Sequence, residues 1–130
     1  MVMLWNKNLE TGIPAIDDQH RELFKQVGIL FDRENDNRVP QTLKFLGDYV
    51  EKHFKDEQLL HLNARYPKLE AHKKMHSDFV AAFNKMKKEY DSGNQQLQVL
   101  LKINKTLVDW LNNHIMMHDK EFAAYYKTLS

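Results

Sequence analysis

One hundred and thirty residues, 42% hydrophobic and 28% charged, describe one soluble globular domain with a single core. Lys plus Arg at 19 against Asp plus Glu at 18 leaves a net charge of +1, with the signs interspersed, so no basic face for nucleic acid or an anionic membrane is expected. The absence of cysteine excludes disulfides, thiolate nucleophiles, iron–sulfur clusters and cysteine-ligated zinc, leaving oxygen and nitrogen as the available donors. The segment Met1-Val2-Met3-Leu4-Trp5-Asn6 has no basic region followed by a long apolar run, and no stretch approaches a membrane span, so a cytoplasmic chain is expected. Seven histidines are well above ordinary usage.

Residues 1 to 16 contain Gly12 and Pro14 without a helical period, and are predicted to form an ordered arm that packs Trp5 and Leu9. A first helix is predicted after Ile16, with Ile16, His20, Leu23, Val27 and Leu30 on one face and Asp17 or Asp18 as its cap. The polar run Asp32 to Arg38 ends it, and Pro40 suits the first turn of a second helix. That helix repeats at Leu43, Leu46, Val50, His53, Glu57 and Leu60. Tyr66-Pro67 opens a third, with Leu69, His72, His76, Phe79, Phe83, Met86 and Tyr90 in register, closed by Asp91-Ser92-Gly93-Asn94. The fourth runs through Leu100, Ile103, Leu107, Trp110, His114 and Met117, and a short tail carries Phe122, Tyr125 and Tyr126. With no alternating strand pattern in competition, the fold expected is an all-α, up-down-up-down antiparallel four-helix bundle with an N-terminal arm and a short C-terminal helix. It forms one domain over residues 1–130, divided into arm (1–16), bundle (17–118) and tail (119–130). Gly28 and Gly47 fall inside helices, where close helix approach would explain them.

Polar residues occupy core positions in all four patterns: His20, His53, Glu57, His72, His76 and His114. A buried charge needs a partner, and stranding one in an apolar interior costs many kcal/mol. A bound cation resolves the burial. His53 and Glu57, like His72 and His76, are one helical turn apart and project toward a common point. In an up-down-up-down bundle the start of helix one lies beside the end of helix two, the start of three and the end of four. All six residues therefore converge at one end. Asp119 lies five residues after His114, about 140° off its face on a regular helix. It can join the site only if the helix unwinds or ends there. His61 is expected to face solvent, and His118, one turn after His114, is a rival ligand or an outer partner.

Taken together, Gly12-Ile13, Asp17-Asp18-Gln19-His20, His53-Phe54-Lys55-Asp56-Glu57, His72 to His76, Trp110-Leu111 and His114-Ile115 through Asp119-Lys120 resemble the hemerythrin family in its bacterial single-domain form. The resemblance covers essentially the whole chain. It implies two iron ions in an oxo- or hydroxo-bridged non-haem centre, with Glu57 and Asp119 bridging. His72, His76 and His114 would hold one iron. His20 and His53 would hold the other, leaving it one position for dioxygen. Reversible oxygen binding for storage, delivery or sensing is the implied activity, without an enzymatic role. Phe24, Phe54, Trp110, Leu111 and Ile115, with Leu23, would line the dioxygen pocket, and Met116 and Met117 stand where other apolar residues are common. The ligand set carries only −2, which favours the lower oxidation state. Two alternatives stay open from residues alone: a di-iron enzyme acting on peroxide, nitric oxide or ferrous iron, and a structural bundle binding zinc or nothing.

Overall fold

The computed structural model describes residues 5–31 and 39–129. The predicted breaker Asp32 to Arg38 and the segment Met1 to Leu4 lie outside the described residues. A one-turn 3-10 helix at Lys7–Leu9 precedes α1 (Pro14–Phe31), α2 (Val39–Asn63), α3 (Leu69–Asp91) and α4 (Gln96–His114). A π-helical turn over Ile115–Asp119 joins α4 to α5 (Lys120–Lys127). Each long helix packs on the next and α4 returns to α1, which closes a four-helix bundle. Antiparallel order follows from the side chains that meet: Gln19, early in α1, reaches His53 and Asp56, late in α2. His72 and His76, early in α3, meet Glu57 of α2 and His114 at the end of α4.

Helix α1 begins three residues before its predicted start. Proline at the first helical position loses nothing by lacking an N–H, and the Ile13 carbonyl accepts from the Asp17 amide at 3.0 Å. Asp17 lies inside the helix and does not cap it from outside. Its carboxylate reaches back to accept from the Thr11 amide and hydroxyl, both at 2.8 Å, and from the Gly12 amide at 3.1 Å. Gly12 sits at φ 86°, a left-handed conformation that costs a glycine little. The arm is thus tied to α1 before the helix starts.

Helix α3 begins at Leu69, later than predicted, because α2 ends in a two-bond reverse turn. Tyr66 N–H donates to His61 O at 2.9 Å and Arg65 N–H to Leu62 O at 3.1 Å, with Arg65 at φ 55°. This leaves Tyr66 pointing inward and Pro67 outside the helix.

Leu23, Phe24, Val27, Leu43, Leu46, Phe79, Phe83, Ile103 and Leu107 belong to the main apolar core. Gly47 meets this core closely: a Cβ there would lie 3.2 Å from the Phe83 ring. Asn104, buried on α4, donates to the Val27 carbonyl at 3.3 Å and links α4 to α1. A second, smaller cluster of Ile13, Ile16, Tyr66, Phe122 and Ala123 covers one pole. Residues of both clusters touch the buried polar groups: Phe54 stacks on His76, and Phe122 lies against His61.

Candidate metal centre

The stripe that places Leu43, Leu46 and Val50 inward on α2 continues through His53, Phe54, Glu57 and His61, all buried. On α3 the same logic brings His72 and His76 inward, and on α4 it brings His114. Asp119 arrives by local unwinding of the helix rather than by its ending. In the π turn the Lys120 amide donates to Ile115 O, five residues back. Each residue of such a turn advances less than 100° around the axis, so a side chain five positions on regains the same face. Asp119 Oδ1 consequently lies 3.1 Å from His114 Nε2.

The two acids share their oxygens between two groups of imidazoles. Glu57 Oε1 faces His72 Nε2 at 2.8 Å and His76 Nε2 at 3.5 Å, while Oε2 faces His53 Nε2 at 3.3 Å. Asp119 Oδ1 lies 3.1 Å from both His72 and His114, and Oδ2 lies 3.1 Å from His20. His114 Nε2 is 3.0 Å from His72 Nε2 and 3.2 Å from His76 Nε2. Two overlapping donor sets result, Glu57-His72-His76-His114-Asp119 and His20-His53-Glu57-Asp119. All seven residues are buried, and all seven are the ones expected from the sequence.

The fit to a cation pair rests on these separations and on what the acids lack. The near neighbours of all four carboxylate oxygens are imidazole nitrogens, and none of them makes a well-directed hydrogen bond among the described residues. Buried charged acceptors without donors are untenable in a protein left to itself. Adjacent vertices of an octahedron with metal–ligand bonds of about 2.1 Å stand about 3.0 Å apart, and most of the separations above cluster there.

Electrostatics point the same way. Burial works to raise Glu57, but the imidazoles of His53, His72 and His76 outweigh it and hold the carboxyl well below its usual range. Burial and the Glu57 charge work to raise Asp119, yet His114, His20 and His72 hold it below its usual range. Burial works against a charged His72, but Asp119 and Glu57 push it up to about 9. Burial carries His76 the other way, down to about 4. Two buried acids held ionised form a site that attracts positive charge.

Outer contacts orient the rings. Gln19 Oε1 accepts from His53 Nδ1 at 2.6 Å, and the Gln19 amide donates to Asp56 at 2.9 Å. The Gln58 amide meets His76 Nδ1 at 3.1 Å. Holding each Nδ1 this way leaves Nε2 directed inward. Phe54 stacks on His76 at 3.7 Å and 1°, and Trp110 on His114 at 4.3 Å and 10°. Both therefore shield the three-histidine group. Phe24, Leu111 and Ile115 are buried in the main core.

One residue falls elsewhere than expected, and for another the structure chooses between two expected places. His61 is fully buried, in contrast to its expected solvent position, because it stands one turn after Glu57 and is clamped between Tyr66 and Phe122. His53-x-x-x-Glu57-x-x-x-His61 was the signal. His118 is half-buried against His114 and His72 and belongs to neither donor set. Met116 and Met117 point largely to solvent.

Comparison with known proteins agrees with this geometry. A family profile described as "Hemerythrin HHE cation binding domain" matches residues 11–126. A bacteriohemerythrin of Pseudomonas paraeruginosa is 29% identical over 124 residues, covering 93% of this chain and 79% of that protein. A myohemerythrin of Theromyzon tessulatum is 31% identical over 120 residues, covering 92% and 90%. A crystal structure of wild-type hemerythrin superposes with a TM-score of 0.84 at 28% identity, covering 97% of this chain and 98% of that one.

Proposed function

The chain belongs to the hemerythrin family, and on that premise we propose that it binds dioxygen reversibly at a pair of iron ions, as a single domain over residues 1–130. The observation that carries this reading is the division of each carboxylate between the two imidazole groups. Glu57 and Asp119, which belong to both donor sets, would help to hold both ions. His72, His76 and His114 complete one donor set of five, and His20 and His53 complete the other, of four. The set of four, one donor fewer, would be the side that takes the diatomic guest. The bound iron pair supplies the reversible two-electron exchange with dioxygen.

The protein's own part is to position and to exclude. Gln19 and Gln58 fix the rings of His53 and His76. Phe54 and Trp110 lie over His76 and His114 and keep water from those nitrogens. Two carboxylates bring two negative charges to two ions, a modest donation that supports the reduced form and return of the guest unchanged. Binding without turnover is therefore the reading favoured over oxidase or peroxidase chemistry. Among the described residues no helix is long and apolar enough to cross a membrane.

The test is optical. Iron-loaded protein, reduced without air, is exposed to oxygen and then to vacuum. A visible charge-transfer band that appears and disappears over repeated cycles is expected. One-way bleaching, or steady consumption of oxygen, would overturn binding in favour of catalysis.

A further inference from the structure

His61 is a buried imidazole that neither donor set uses. It has no exposed surface, and neither ring nitrogen has a hydrogen-bond partner among the described residues. Its Nε2 lies 3.7 Å from Glu57 Oε1, about 0.8 Å longer than an N–H···O bond. That oxygen faces the His72 nitrogen at 2.8 Å on its other side and has lone-pair capacity left for a second donor. An orphaned donor thus faces a carboxylate oxygen with acceptor capacity to spare, across a gap slightly too wide to bond.

The ring is held there from several sides. Tyr66 packs edge-on at 5.0 Å, Phe122 lies at 4.0 Å, and His72 meets it at 4.5 Å. The reverse turn that ends α2 takes its first bond from the His61 carbonyl, so the backbone is fixed as well. A leucine of similar volume would fill this apolar niche without leaving two polar nitrogens unpaired. An imidazole is costly here unless its N–H is used.

We propose that His61 is a positioning residue for the shared carboxylate, its Nε2–H closing onto Glu57 Oε1 when the cation pair is seated and fixing which way that oxygen points. It acts through Glu57 and does not itself ligate, since Nε2 falls outside both donor sets. The assignment rests on the metal-centre reading above. A group that holds a ligand in this manner commonly contributes ten- to a hundredfold in metal affinity.

Competitive chelator titration of ferrous iron, without air, on the wild-type chain, His61→Leu and His61→Gln tests the proposal, with thermal melts of the metal-free forms alongside. The leucine variant is expected to bind iron at least about tenfold more weakly. Its metal-free form should melt at or above the wild type, because an unpartnered imidazole has been removed. Glutamine, whose amide N–H reaches as far, should restore affinity to within about threefold of wild type. Equal affinity in wild type and His61→Leu overturns the proposal, as does a loss that glutamine fails to restore. A metal-free His61→Leu that melts well below wild type overturns it too, by showing a packing role. Wild-type protein that takes up no iron overturns the metal-centre reading together with this assignment.

Discussion

Removing a shared acid and removing an unshared imidazole should have different consequences for metal stoichiometry. Glu57 touches both imidazole groups, through Oε1 to His72 and His76 and through Oε2 to His53. His20 belongs to one donor set alone. Glu57→Leu therefore takes a donor from each set and halves the negative charge facing the ions. At an effective dielectric constant of about 20, two unit charges 4 Å apart interact by about 4 kcal/mol, so each ion loses on the order of a thousandfold in affinity. His20→Leu reduces the set of four to three and leaves the set of five intact. Metal analysis after iron loading and desalting should find two ions per chain in the wild type, one in His20→Leu and none in Glu57→Leu. Leucine at 57 removes one partner of a buried charge cluster and leaves His72 with Asp119 alone, so metal-free Glu57→Leu is expected to melt below metal-free wild type. Circular dichroism of the metal-free variant, expected to show wild-type helix content at room temperature, separates loss of binding from loss of folding. Two ions retained by Glu57→Leu, or both lost from His20→Leu, would refute the shared-acid geometry.

Metal-free protein should show a pH optimum of stability. His61 and His76 are held near 4, below the ordinary value of about 6.5. Their contribution is full above that value and is lost as pH falls from about 6.5 toward 4. His72, pushed up to about 9, contributes fully below about 6.5 and loses its share as pH rises through 9. Melting temperatures of the metal-free form should therefore peak near pH 6.5, and a flat profile between about pH 4 and pH 9 would contradict these environments. Asp17→Ala strands the two backbone amides of Thr11 and Gly12 and should cost about 2–4 kcal/mol in denaturant unfolding. Arg65→Gly relieves a left-handed backbone at φ 55° and should raise stability by about 0.5–1 kcal/mol in the same assay.

Helical periodicity makes most of this molecule legible. Polar residues in apolar registers stand out because burial without a partner is costly, and six of the seven clustered donors follow from that contradiction alone. Asp119 is only half legible. Its spacing from His114 says that a regular helix fails, but the π turn that repairs the register leaves no mark in Ile115-Met116-Met117-His118. His61 was obscured because Leu60 and His61 both suit the next position after Glu57 on the α2 stripe. Tertiary contacts with Tyr66 and Phe122 choose His61, and Leu60 is left half-buried. The cap made by Asp17 and Thr11 depends on the arm folding back, a conformation that local spacing does not encode.

On the function proposed above, buried acids and imidazoles at one pole hold two cations. Anomalous diffraction at the iron edge from crystals of iron-loaded protein tests it most directly. Two peaks are expected, one within Glu57, His72, His76, His114 and Asp119 and one within His20, His53, Glu57 and Asp119. A single peak, or none among these residues, would contradict it.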